Sequence, residues 1–378
     1  MSNIFPKHDL EKSGEMINFG IGRPSADLLP LDLMQQACEA FFREAEPNDI
    51  SYGSKEGDVR FIESLATFLG ENYGQQVRTD SLLLSGGVSQ ALDFICTQLS
   101  QPSDIIVIEE PCYFLAYQIF KDHGLNIITV PIDGDGMDLD VLETLLSRVK
   151  PTFVYTIPTY QNPSGRSMSM ARRKRLIALS QSHDFLIVAD EVYQLLSYHG
   201  APPAAFGTML AGDTVLSVGS FSKILAPGLR LGWIQTSNNR VRQLTKAGLL
   251  NSGGSINQFT SMIVKQALDS GLAQNHLSKL RTVYRDRVIT MDTALREQLS
   301  DHVSWTKPEG GYFFWLKLIK HVDVKALNER ASALQVEFHP GTLFSNNEGM
   351  QDYIRLSFAY YGKELIRNGI ARLKTAFE

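Results

Sequence analysis

Seven short apolar runs are spaced along the first two thirds of the chain, at 82–84, 105–108, 127–130, 153–157, 186–189, 215–219 and 231–234. They are rich in Ile, Val and Leu and end at Gly, Pro, Ser or acidic residues, a pattern that predicts strands buried on both faces. Ahead of the first run, at 31–42, and between several of the runs, at 91–99, 139–149 and 171–183, the spacing of apolar residues predicts helices. Strands alternating with helices predict an α/β fold built on a mostly parallel, seven-stranded sheet covered by helices. Ligands of such sheets bind beyond the carboxyl ends of the strands. The loops that follow the apolar runs are therefore where chemistry is expected.

Beyond residue 239 the spacing predicts further helices at 241–250 and 256–268, then a charged helical stretch to about 299. That stretch carries Arg281, Arg285 and Arg287 and reads as a solvated helix face. Composition changes little in this picture. With 378 residues, 43% of them hydrophobic, the chain can bury a large core, and its length suggests two or three domains. A formal net charge of -5 gives no support to nucleic-acid binding. No apolar run reaches membrane-spanning length, and the start, Met1 to Asp9, has no signal-peptide core. Cys38, Cys96 and Cys112 lie far apart, which supports neither a disulfide framework nor a zinc site. The expectation is a soluble cytoplasmic protein.

The richest chemistry follows the run at 215–219, in Ser220-Phe221-Ser222-Lys223 and on to Pro227-Gly228-Leu229-Arg230. Pro227 and Gly228 interrupt any helix between the lysine and the arginine. A lysine leaving a buried strand end loses water, which lowers its pKa and frees the amine for imine chemistry. Arg230, Ser220 and Ser222 supply donors suited to phosphate. A second half of a phosphate cup is expected at Gly87-Val88-Ser89, where a strand, a glycine turn and a helix start meet. A reactive amine beside a phosphate cradle is what pyridoxal 5'-phosphate (PLP) requires; the plain alternative is a solvated Lys and Arg in an ordinary loop. Asp190 stands at a buried strand end, where a carboxylate is costly unless paired.

The string Ser220-Phe221-Ser222-Lys223 through Gly228-Leu229-Arg230-Leu231-Gly232-Trp233 resembles the lysine signature of the class I/II aminotransferases, the fold type I PLP enzymes. The resemblance runs from about Asn18 to the end of the chain. It implies that Lys223 carries the cofactor covalently and then moves the substrate proton, and that Asp190 pairs with the pyridine nitrogen. Asn162 and Tyr193 would reach the ring's phenolic oxygen, and Tyr113 would stack on its face. Phosphate contacts fall to Gly87, Val88, Ser89, Ser220, Ser222 and Arg230. Arg355, a charge in an apolar alternating run, would capture the substrate α-carboxylate, with Gly22 and Arg23 nearby. Arg23 is either a ligand for a distal carboxylate or an anchor for the N-terminal arm. Tyr52, in Tyr52-Gly53-Ser54-Lys55-Glu56-Gly57, would reach the cofactor phosphate of a partner subunit, implying a homodimer. Pro308 to Trp315 and Val336 to Phe344 resemble a smaller α/β domain. The implied division is an arm and first helix at 1–45, a large domain at 46–270 and a small domain at 271–378. Gln161 before Asn162-Pro163 and the pair Asp190-Glu191 look closest to the aminoadipate and aromatic group, with 2-oxoglutarate as a partner substrate and ping-pong kinetics. A PLP-dependent lyase, such as a C–S lyase, and a non-catalytic PLP or amino-acid sensor use the same fold. No winged-helix module reads before Asn18, which counts against the sensor.

Overall fold

The computed structural model describes residues 16–378. The polar start at Met1 to Asp9 lies outside the described residues. The strands are β1 (Ile17–Asn18), β2 (Leu82–Ser85), β3 (Ile105–Glu110), β4 (Asn126–Asp133), β5 (Gly136–Met137), β6 (Phe153–Thr156), β7 (Leu186–Asp190), β8 (Val215–Ser220) and β9 (Gly232–Thr236), followed by β10 (Val303–Ser304), β11 (Phe313–Leu318), β12 (Val336–Glu337), β13 (His339–Pro340) and β14 (Tyr353–Ser357). The helices are α1 (Leu31–Glu44), α2 (Val59–Tyr73), α3 (Val88–Leu99), α4 (Phe114–Asp122), α5 (Leu139–Leu146), α6 (Met170–His183), α7 (Asn238–Leu244), α8 (Gly248–Gly253), α9 (Gln258–Asp269), α10 (Leu272–Leu299), α11 (Val324–Ala333) and α12 (Lys363–Phe377).

The main sheet has the order β2-β9-β8-β7-β6-β3-β4-β5. The strands β8, β7, β6, β3 and β4 run parallel, while β9 is antiparallel to both of its neighbours. All seven apolar runs are strands of this sheet. The two-residue β5 adds an edge hairpin on β4, too short to leave a periodic signal in the sequence. Successive side chains face opposite ways. Val107, Val154 and Ile187 pack beneath α5 and α6, while Ile106, Ile108, Tyr155 and Val188 join the larger core that includes α3 and α4. A second sheet, β10-β11-β14-β13, is antiparallel, and β1 pairs in parallel with β12.

Two expectations change. The helix read at 241–250 is broken into α7 and α8, because Thr245 already caps the first and Gly248 starts the second. The arginines of α10 are not one solvated face. Arg285 is exposed, but Arg287 is buried against the Ala359 carbonyl and Ser25, and Arg281 donates to the Leu195 carbonyl. Charge density alone did not show that carbonyls from distant loops await them. Among the described residues no helix is long and apolar enough to cross a membrane.

Beneath the ends of β6 and β7 lies a fully buried cation. Arg173 donates to the carbonyls of Met168, Ala204 and Pro158 and to Thr159 Oγ1, and stands 3.5 Å from Glu191. Glu191 also accepts from Ser217 Oγ and the amides of Phe206 and Gly207. Arg173 is thus the buried ionic partner of Glu191. Removing one partner leaves the other charge buried. Arg173→Met should therefore destabilise the protein by about 3–5 kcal/mol in denaturant melts, and Arg173→Met with Glu191→Gln should recover part of that loss.

Candidate functional site

Three strand ends form a cup. Ser220 closes β8, Gly232 opens β9 beside it, and Ser85 closes β2. The turn out of β2 runs through Gly86 and Gly87 into α3, and no side chain caps that helix start. The first amides of α3 therefore point outward without intrahelical acceptors. Gly87 is needed here: its φ is +87°, and an added Cβ would meet Arg230 Nη2 at 3.1 Å and Ser220 Oγ at 3.4 Å. Arg230 follows the short turn Pro227–Leu229 with φ +46° and reaches back, its Nη2 donating to the Gly86 carbonyl at 2.9 Å and its Nη1 to Ser222 Oγ at 3.4 Å. Ser220 Oγ donates to Ser222 Oγ at 2.8 Å and accepts from the Ser222 amide. Val88 is half-buried and Ser89 exposed, both in the first turn of α3. This is a concave set of hydroxyls, amides and one guanidinium, complementary to a phosphate monoester.

Next to the cup, Lys223 is half-buried, and its Nζ donates to the Gly22 carbonyl at 2.7 Å. Burial lowers its pKa to about 8, with Arg355, Arg23 and Arg230 pushing the same way and Asp190 opposing them. Its backbone carbonyl accepts from Tyr312 Oη at 3.1 Å, and its Nζ lies 5.6 Å from the Tyr312 ring centre.

Asp190 ends β7 and is 3% exposed. Burial raises its pKa to about 6, while a hydrogen bond from Tyr155 Oη at 2.9 Å and one from the Val192 amide pull it back. Among the described residues no cation lies within ion-pairing distance of it. A buried carboxylate held only by neutral donors fits a planar ring that presents a positive N–H.

Arg355, on β14, is equally buried. Its Nη1 donates to Asn162 Oδ1 at 2.9 Å and its Nη2 to the Gly20 carbonyl at 2.7 Å. Its guanidinium carbon sits 4.0 Å from the Phe313 ring centre and 4.8 Å from that of Phe344, an arrangement with cation–π character. Nε has no partner. Burial lowers this guanidinium to about 10, so it keeps its charge at neutral pH and lacks a carboxylate. Both features suit a ligand with an acid group.

Tyr193 is buried, with its ring 5.3 Å from Tyr312 and 6.0 Å from Phe313, and burial pushes its hydroxyl well above the ordinary tyrosine range. Tyr113 is half-buried at the start of α4, its hydroxyl raised by burial to about 12. The structure thus brings together Lys223, Asp190, Asn162, Tyr193, Tyr113, Arg355 and Gly22, with the cup of Gly87, Ser220, Ser222 and Arg230 alongside. Arg23 is exposed with its guanidinium over the Tyr360 ring at 5.7 Å. Tyr52 is 85% exposed.

Sequence reasoning missed Tyr155, Tyr312, Phe313 and Phe344 as members of this cluster. Tyr155 was visible as one of two hydroxyls, with Thr156, within a buried strand run. The other three stood in segments quoted only as domain markers.

The description "Aminotransferase class I and II" matches residues 14–373 of this chain. The aromatic-amino-acid aminotransferase 1 of Thermococcus litoralis is 34% identical over 369 residues, covering 96% of this chain and 88% of that protein. The 2-aminoadipate transaminase of Thermus thermophilus is 32% identical, covering 96% and 90%. The crystal structure of LysN, the α-aminoadipate aminotransferase of Thermus thermophilus complexed with N-(5'-phosphopyridoxyl)-L-leucine, matches with a TM-score of 0.86 and 31% identity over 96% of this chain and 92% of that one. The protein belongs to the class I and II aminotransferases, enzymes of fold type I that transfer amino groups with pyridoxal 5'-phosphate.

Proposed function

We propose that this aminotransferase moves the amino group of an aromatic or dicarboxylic L-amino acid to 2-oxoglutarate by a ping-pong mechanism, in the cytoplasm and as a homodimer. The observation that carries this reading is the Lys223 amine set beside the cup of Arg230, Ser220 and Ser222, its Nζ donating to the Gly22 carbonyl and its pKa lowered chiefly by burial. The names of the Thermococcus and Thermus relatives support the substrate class.

In this reading Lys223 would hold the cofactor covalently, and its amine would move the proton at the substrate Cα. When bound, the cofactor supplies the electron sink for that proton loss. Asp190 faces the pyridine nitrogen, with Tyr155 keeping its carboxylate ionised. Asn162 and Tyr193 reach the phenolic oxygen, and Tyr113 covers the ring. Arg230, Ser220, Ser222 and the α3 amides from Gly87 to Ser89 hold the phosphate. Arg355 orients the α-carboxylate beside the Gly22 carbonyl, and exposed Arg23 meets a distal carboxylate.

The homodimer is supported by exposed Phe42 and Phe259, whose ring centres lie 6.0 Å apart, an apolar pair of the kind that partner surfaces cover. Exposed Tyr52 is available to serve the partner's phosphate.

Lys223→Ala should yield protein without a borohydride-fixed cofactor and with amino transfer reduced by about 10³-fold or more. In the native protein, loading of the cofactor should accelerate as pH rises through about 8, where Lys223 loses its proton. With an ordinary lysine the rise would continue to about pH 10 before levelling off. Wild-type turnover without a lysine adduct would overturn the proposal.

Arg355→Lys keeps the charge but loses the fork. It should raise KM for the amino acid by about 10–100-fold with a smaller change in kcat, measured by steady-state kinetics.

Asp190→Asn removes a carboxylate whose pKa is raised from 3.8 to about 6. A raised carboxyl pKa means the native state binds more protons than the unfolded chain between about pH 4 and 6, so wild-type stability falls as pH rises through that window. Above it, the cofactor-free variant should be more stable than wild type by on the order of 1–3 kcal/mol, with the difference fading toward pH 4. Its amino transfer should be lost at every pH.

A further inference from the structure

The turn that carries Asn162 is tied down by its neighbour. Gln161 is 3% exposed, and its side-chain amide ties its own turn to the end of β3. Its Nε2 donates to the Pro111 carbonyl at 2.6 Å and to Glu109 Oε2 at 3.4 Å, while its Oε1 accepts from the Ser164 amide at 2.8 Å. The backbone of the same residue closes the turn, its N–H donating to Arg166 and its carbonyl accepting from Gly165.

Glu109, at the end of β3, is 1% exposed and accepts also from Thr156 Oγ1 at 2.5 Å and the Ile157 amide at 3.0 Å. Neutral donors surround it, and burial raises its carboxyl to about 7. Loss of the Gln161 amide would leave the Pro111 carbonyl and the Ser164 amide without this partner, an expensive state in a dry interior. Each end of the clasp touches a residue of the site. Asn162 follows Gln161 directly and accepts from Arg355. Tyr113 lies two residues beyond Pro111.

We infer that Gln161 is a positioning residue for amino transfer, its buried amide locking the Asn162 turn to the end of β3 and so setting where Arg355 receives the carboxylate and where Tyr113 meets the ring. The inference rests on the roles proposed above for Asn162, Tyr113 and Arg355. Position matters because a displacement near 1 Å at a site of this kind costs rate or affinity by about 10²-fold.

The test uses holoenzyme carrying Gln161→Met, which keeps the length without the hydrogen bonds, and Gln161→Asn, which keeps an amide too short to span the gap. Both are measured well below their melting temperatures. Each should raise KM for L-glutamate by about tenfold or more with a smaller effect on kcat, and each should shift the absorbance maximum of the bound cofactor. Because Gln161 acts through Asn162, Gln161→Met should have little further effect on KM in an Asn162→Ala background. Wild-type KM and spectrum in both variants, or effects that multiply independently with Asn162→Ala, would overturn the inference. If Gln161→Met does not fold, Gln161→Asn decides by the same readings. Asn162→Ala and Arg355→Lys alone separate the two levels. If they leave KM and spectrum unchanged, the reading of the site has failed; if they change both while the Gln161 variants do not, only the clasp has.

Discussion

An ammonium, a guanidinium and a carboxylate are withdrawn from water at one end of one sheet, and none of the three is neutralised by another. Lys223 donates a hydrogen bond to the Gly22 carbonyl, Arg355 donates two, to the Gly20 carbonyl and Asn162 Oδ1, and Asp190 accepts from Tyr155 and a backbone amide. Dipoles rather than counter-ions hold each charge. The consequence is visible in the direction of every pKa: Lys223 and Arg355 fall, Asp190 rises, and burial is the leading cause in each case. Ion pairs would have relieved the cost. They would also have consumed the charges that an amino acid and a cationic ring have to meet.

Keeping such charges apart demands a stiff frame. Parallel β3, β6, β7 and β8 end on the same side, which delivers Glu109, the Asn162 turn, Asp190 and Ser220 to one edge. Beneath that edge Arg173, Glu191, Thr159 and Gln194 form a second polar layer, with Thr159 Oγ1 donating to Gln194 Oε1 at 2.5 Å. In this layer the charges do pair, because it holds strand ends and meets no ligand. The remaining wall comes from elsewhere: Arg355 from the antiparallel sheet, Gly20 and Gly22 from the segment that follows β1. The Phe19 carbonyl accepts from the Ser357 amide at 2.7 Å, so the arm and the arginine strand are fastened together before either reaches the lysine.

Much of this was legible in the linear sequence, for a local reason. Seven apolar runs separated by helical stretches specify the sheet, since a strand buried on both faces has no other way to satisfy its side chains. Lys223, Arg230 and Gly87 announce themselves because their chemistry depends on immediate neighbours: a strand end, a proline-glycine break, a glycine that no other residue can replace. Asp190 and Arg355 stood out as charges in apolar runs, where an unpaired charge implies a ligand or a hidden partner.

What the tertiary structure alone decided is which partner each charge has. Asn162 and Arg355 are 193 residues apart, Lys223 and Gly22 201, Tyr155 and Asp190 35. No periodicity links such pairs, because hydrogen bonds across a fold depend on where strand ends converge and not on spacing along the chain. For the same reason Arg287 looked solvated in its helix and is buried in the fold, and Gln161 looked like a neighbour of Asn162 and proved to tie their turn to the end of β3. Residue type and local pattern determined the chemistry this chain carries; folding decided which groups are left free to use it, since only packing removes water from some charges and supplies dipoles to others.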